Sequence, residues 1–261
     1  FEQTIRKSNV QSGDRIIISG GEPTVSPYFW RILDVCEKLD CCIDLTTNGH
    51  YFADEKNVLK LLKYKSVVIR IPVFGLSKQH NYLVGRENSF EEVITALDHF
   101  RKIARLKSIT VNVKFLLCKA TLNNSETFRY LFNRYGELFE YTLSPILVSR
   151  KVILHKEELL LSYTELIARS IDFVDNPLIN CDIIPLCVLS SKKRNSILKK
   201  QMFNFDKFYN DAFECGSEMD NYNCPSCDGC ILNRFCDKFL PSYINYFGTK
   251  EIRPFTIKSM D

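Results

Sequence analysis

Short β-branched apolar runs alternate with longer stretches of helical periodicity along residues 16–173. Runs at 16–18, 42–46, 66–72, 109–118 and 141–148 read as five strands. Between and after them, residues 29–39, 55–64, 90–104, 125–135 and 162–173 repeat apolar side chains at helical spacing. Alternation in units of this size predicts an α/β fold with a parallel sheet. The strands are nearly continuous in apolar residues, which predicts that helices cover both sheet faces. Ser89 is placed to cap the 90–104 helix, with Glu92 completing a capping box.

From about residue 175 this rhythm fails, and Pro, Asn, Cys and aromatic residues take over. The reading divides the chain into an α/β domain at 1–174 and a cysteine-rich extension at 175–261. Of 11 cysteines, seven fall between Cys181 and Cys236. The number is odd and no secretory signal is present, so metal or redox chemistry is a better reading than a disulfide framework. A segment without a large apolar core also needs some other staple, and a metal supplies one. A net charge of +4 over 261 residues gives no case for nucleic-acid binding. No run approaches the ~18 apolar residues of a membrane span, and a cytoplasmic protein is expected.

In parallel α/β folds ligands sit at the carboxyl ends of the strands, where this sequence places its distinctive residues. The first strand ends in Ser19-Gly20-Gly21-Glu22-Pro23-Thr24, and the second in Thr46-Thr47-Asn48-Gly49. Paired glycines let the backbone approach a ligand closely, Glu22 offers a carboxylate to a cationic group, and Pro23 fixes the exit of the turn. The competing reading is a tight strand-to-helix turn and nothing more. In the extension, Cys224, Cys227, Cys230 and Cys236 have spacings that suit soft or iron–sulfur metals. A four-cysteine zinc knuckle is the alternative, although the Cys230 to Cys236 interval is long for one.

Taken in order, Gly-Gly-Glu-Pro-Thr and then Thr-Asn-Gly resemble the radical S-adenosylmethionine enzymes. Arg70 through Gly75, His80-Asn81, Val84-Gly85-Arg86 and Ser89-Phe90-Glu91 are similar to the middle of peptide-modifying members. The resemblance implies a partial (β/α)6 TIM-like barrel. It also implies that Gly20, Gly21 and Glu22, flanked by Ser19 and Pro23, hold the amino group of S-adenosylmethionine. Asn48, Arg70 and Lys114 are candidates for the rest of that cofactor, and a capping or surface role competes at each. His80 reads as a structural residue of a loop after the third strand.

The family chelates its catalytic 4Fe–4S cluster with a Cys-x-x-x-Cys-x-x-Cys loop, and residues 1–261 contain none. Cys36, Cys41 and Cys42 have the wrong spacing and read as packing residues. Five strands stand where the family has six, so the first strand and its loop are expected to lie upstream of Phe1; a member degenerate in its cluster is the alternative. The extension resembles the SPASM and shorter twitch tails of maturases, with Ile184-Pro185-Leu186-Cys187 matching their isolated cysteine. That likeness implies Cys187, Cys227, Cys230 and Cys236 as ligands of an auxiliary 4Fe–4S cluster. Cys215 and Cys224 are spare, Cys181 is structural, and the segment from Tyr243 to Pro254 packs over the cluster.

The implied function is a maturase that generates a 5′-deoxyadenosyl radical to modify a peptide or protein. It includes members resembling those of the His-Xaa-Ser repeat system, and a flavodoxin or ferredoxin serves as reductant. A small metabolite or cofactor precursor is the alternative substrate. A non-catalytic binding protein with a structural metal is the alternative of another class.

Overall fold

The computed structural model describes residues 10–104, 109–122, 124–203 and 225–256. Six strands form one sheet in sequence order: β1 (Arg15–Ile18), β2 (Cys42–Thr46), β3 (Val67–Val73), β4 (Ile109–Leu117), β5 (Glu140–Pro145) and β6 (Ile179–Cys181). The pairings β1/β2, β2/β3 and β3/β4 are parallel, as the βα alternation requires. β6 is the strand that sequence periodicity misses. It has only three residues, and of these Ile179 alone is fully buried.

Register explains the core. Ile43, Val67 and Ile109 align across three strands, as do Leu45, Ile69 and Val111. With Ile71, Val73, Val113 and Phe115 they make an apolar face that is at most 5% exposed. Each such aliphatic side chain contributes roughly 1.5–3 kcal/mol on burial. Helices α1 (Phe29–Lys38), α2 (Glu55–Lys60), α3 (Ser77–Val84), α4 (Ser89–Ile103) and α5 (Asn124–Tyr135) complete the βα units. α1 buries Phe29, Leu33 and Cys36, and α4 buries Val93, Ala96, Leu97 and Phe100.

The opposite face does not match the expectation of apolar residues on both sides. The burial of β3 alternates strictly, and the other parity carries Asp44, Arg70 and Asn112 in place of aliphatic residues. Asp44 and Asn112 are buried, and Arg70, half-buried, pairs with Asp44.

By internal contacts the described residues divide into two compact units. One comprises Phe1–Phe115 with Glu126–Tyr141, and the other Leu116–Ser125 with Thr142–Asp261. The division does not fall at the boundary near residue 174 drawn from composition. In the first unit, Arg134 holds Asp98 through Nε and Nη2, and Tyr135 donates to the same carboxylate at 3.1 Å.

The second unit includes α6 (Arg150–Leu154), α7 (Lys156–Leu159), α8 (Tyr163–Arg169), α9 (Ile171–Val174), α10 (Ser191–Phe203) and α11 (Pro241–Phe247). A capping box between Ser162 and Glu165 starts α8. The single helix read over 162–173 is broken at Ser170. α10 lies where long helices were not expected. Tyr243 stacks on Tyr163 with ring centroids 4.1 Å apart and accepts the Tyr163 N–H at 2.8 Å. Its hydroxyl donates to Glu251, which fixes the segment that leads into residues 252–255.

Among the described residues no helix is long and apolar enough to cross a membrane.

Candidate functional site

The end of β1 is organised around one carboxylate. Glu22 Oε1 accepts hydrogen bonds from Thr24 N (3.1 Å), Thr24 Oγ1 (2.6 Å) and Thr47 Oγ1 (2.8 Å). Its Oε2 accepts from Asn48 N at 2.6 Å. Bonds to an ionised acceptor are the strong kind, so Glu22 staples the loop after β1 to the loop after β2. Pro23 occupies the first position of the short 3-10 turn Pro23–Val25, where it needs no N–H.

With Glu22 engaged in this way, the groups left facing outward are the backbone of Ser19, Gly20 and Gly21, all exposed. Gly20 adopts φ +94°, a conformation that favours glycine. A Cβ built on either glycine would meet nothing within 4 Å. That open space beside bare backbone fits a ligand with an ammonium group, whose hydrogens carbonyl oxygens can accept. The reading of Glu22 as the group offered to a cation takes no account of these three partners, although Thr24, Thr47 and Asn48 stand in the same motifs.

Asn48 turns back on itself, its Oδ1 accepting from His50 N at 3.0 Å. From His50 a buried chain runs into α4. His50 Nε2 lies 2.8 Å from Ser89 Oγ, and His80 Nε2 lies 3.1 Å from the same oxygen. Phe74 N donates to His80 Nδ1 at 3.2 Å, so neutral His80 carries its hydrogen on Nε2. Arg86 donates to His50 Nδ1, which places the His50 hydrogen on Nε2 as well. Both imidazoles therefore donate to Ser89. Burial and the nearby His50 push the pKa of His80 down to about 4. Burial followed by Arg86 lowers that of His50.

This geometry corrects two expectations. His80 belongs to α3 and not to a loop, and the Ser89–Glu92 capping box does not form. Ser89 serves the two histidines, Glu92 pairs with Arg86 at 2.6 Å, and Asn88 is the N-cap residue without a side-chain cap. Asn81 Oδ1 caps the helix instead, accepting from Phe90 N at 2.8 Å.

Arg70 points into a different cluster from Glu22. Its Nε and Nη2 clamp Asp44 at 2.7 and 2.8 Å, and Asp44 is 1% exposed. Arg15 stands 3.8 Å from the same carboxylate. Lys114 lies two residues beyond Asn112 on the same side of β4. The structure thus brings Ser19 to Pro23 together with Asn48, and places Arg70 with Asp44.

In the second unit, Cys187, Cys227, Cys230 and Cys236 line one pocket, together with Phe239, Asn233 and residues 252–255. Leu186 N and Lys238 N donate to Cys236 Sγ at 3.2 and 3.4 Å. Burial pushes the Cys236 and Cys187 thiols up. The two amides on Cys236 and an amide from Arg253 on Cys187 act in the other direction. Desolvated thiols with N–H donors aimed at sulfur suit a bound cationic centre, which supplies the charge that solvent no longer does. Among the described residues, no three His, Cys, Asp or Glu side chains are placed to hold a single metal ion. Cys215 and Cys224 lie outside the described residues. Cys36 and Cys41 are at most 4% exposed, as packing residues should be.

Residues 2–116 match the model of the radical SAM superfamily. The resemblance read from the motifs is borne out over that stretch. Among curated proteins, mycofactocin maturase MftC of Mycobacterium tuberculosis is 26% identical over 125 residues, 48% of this chain and 31% of that protein. Its counterpart in Mycobacterium ulcerans gives the same identity over 33% of its length. The chain spans about a third of the length of these relatives.

Among solved structures, anSMEcpe with bound AdoMet and a Kp18Cys peptide aligns with a TM-score of 0.53 at 19% identity. The alignment covers 71% of this chain and 55% of that one. Streptococcus suis SuiB bound to its precursor peptide SuiA aligns with a TM-score of 0.51 at 16% identity, over 69% and 41%. The partial-barrel fold is shared with both.

Proposed function

We propose, from the match of residues 2–116 to the radical SAM superfamily, that this chain is part of an enzyme that modifies a peptide or protein. The observation that carries the reading is the Glu22 staple, which leaves the backbone of Gly20 and Gly21 bare beside open space. There the carbonyls accept the ammonium of S-adenosylmethionine, while Glu22, Thr24 and Thr47 keep the two loops in place. Asn48 shapes the second loop, and Arg70 holds Asp44 on the polar sheet face. S-adenosylmethionine on a reduced 4Fe–4S cluster, whose Cys-x-x-x-Cys-x-x-Cys loop is not among residues 1–261, would supply hydrogen-atom abstraction when bound.

A peptide substrate is favoured because the relatives are named maturases or were solved with peptides. Cys187, Cys227, Cys230 and Cys236 hold an auxiliary 4Fe–4S cluster of the SPASM or twitch kind. Four cysteines that line one pocket can give one thiolate to each iron of such a cluster. A low-potential flavodoxin or ferredoxin supplies electrons, and the protein works in the cytoplasm.

The test is incubation of the reduced, full-length protein with S-adenosylmethionine and a short peptide encoded beside its gene. Mass spectrometry should find 5′-deoxyadenosine together with a peptide of altered mass. Cofactor cleavage with an unchanged peptide would favour a small-molecule substrate. Anaerobic analysis should find about four irons with sulfide for the auxiliary centre alone. A single zinc without sulfide would refute the cluster.

A further inference from the structure

Asn233 begins the short 3-10 turn Asn233–Phe235, between Cys230 and Cys236, and lines the pocket with the four cysteines. Its Oδ1 is sealed from solvent and has no hydrogen-bond partner among the described residues. A buried acceptor without a donor is unfavourable and calls for an explanation.

The pocket itself suggests one. Four cysteine sulfurs line it, and three backbone N–H groups beside them are already used. Those of Leu186 and Lys238 go to Cys236 Sγ, and that of Arg253 goes to Cys187. An amide oxygen turned toward thiolates would meet only acceptors, which accords with an Oδ1 that has no partner. Half a turn about the terminal side-chain torsion exchanges that oxygen for an NH2 group with two hydrogens. The two orientations have nearly the same shape, so the hydrogen-bonding surroundings decide between them.

We propose that Asn233 presents its side-chain NH2 to the sulfur shell of the metal centre in this pocket, as a positioning residue that raises the centre's reduction potential. The inference rests on the four-cysteine iron–sulfur reading. A donor to cluster sulfur stabilises the more negative, reduced state more than the oxidised one, which moves the potential upward. Asn233 need not ligate iron or touch substrate to act in this way.

The experiment is a redox titration of the auxiliary centre in full-length protein assembled anaerobically, followed by electron paramagnetic resonance. Wild type is compared with Asn233→Leu, Asn233→Asp and Asn233→Gln, and iron and sulfide are measured in each. Asn233→Leu should titrate at lower potential with full iron content. Asn233→Asp, which puts a carboxylate where the donor stood, should shift further in the same direction. Asn233→Gln should recover part of the difference. Wild-type potential in an iron-replete Asn233→Leu variant would overturn the proposal, whether or not Asn233→Asp assembles. If wild type itself holds no iron and sulfide, the cluster reading fails first, and iron analysis separates that failure from an unshifted potential.

Discussion

At the end of β1 the Glu22 carboxylate receives four hydrogen bonds from Thr24, Thr47 and Asn48. In the cysteine pocket burial opposes ionisation of Cys187 and Cys236, and the Asn233 oxygen has no donor. The first arrangement is satisfied by its own chain, so its shape exists before any cofactor arrives. The second gathers sulfur lone pairs without the charge that would balance them. A site of the first kind is preorganised for binding, whereas one of the second kind is stabilised by what binds.

The contrast is broken most directly by removing metal. A structural metal contributes on the order of 10 kcal/mol to the site that holds it. Chelation of the assembled protein should therefore abolish amide-exchange protection over residues 225–256 and leave that of β2 and β3 intact. Equal loss in both regions by hydrogen-exchange mass spectrometry would end the distinction.

The first unit has its own point of failure. Arg70→Leu leaves Asp44, 1% exposed, with Arg15 standing off at 3.8 Å. Breaking one side of a buried ion pair costs about 3–5 kcal/mol, which urea unfolding of the variant should register with no change in metal content.

Acid should affect the first unit through His80. Its pKa is about 4 in the folded protein, against 6.5 ordinarily, so between those values the unfolded chain binds a proton that the native state refuses. Stability is then complete above pH 6.5 and falls by on the order of 3 kcal/mol as the pH drops to 4. His80→Gln should flatten that part of the profile measured by urea unfolding.

The smallest effect separates cradle from staple. Gly20→Ala adds a Cβ that meets nothing within 4 Å but must hold φ +94°. The cost is about 1 kcal/mol in stability. Binding of S-adenosylmethionine, followed by calorimetry, should weaken at least tenfold. A variant that binds like wild type would remove Gly20 from the cradle.

Much of this was legible because it is local. The bounds of β2 follow from its apolar run, and α1 from the spacing of Ile32, Leu33, Cys36 and Leu39, of which Leu33 and Cys36 are buried. What sequence reading missed depends on distant partners. Ser89 and Glu92 have the spacing of a capping box, but His50, 39 residues away, takes the serine and Arg86 takes the glutamate. The polar sheet face was hidden for the same reason. Asp44 and Arg70 look like interruptions in apolar strands until register makes them diagonal neighbours. Glu22 was found by its motif, but two of its four donors, Thr47 Oγ1 and Asn48 N, come from a second loop that only the fold brings near.

Ser89 also bears on how such a sequence can drift. One hydroxyl receives hydrogens from two imidazoles that lie 30 residues apart in sequence, at positions 50 and 80. Replace Ser89 and both imidazoles lose their shared acceptor, whereas replacing His80 leaves Phe74 N without one. Mutational descent should therefore move positions 50, 80 and 89 as a set, each tolerating change only after its partners have changed.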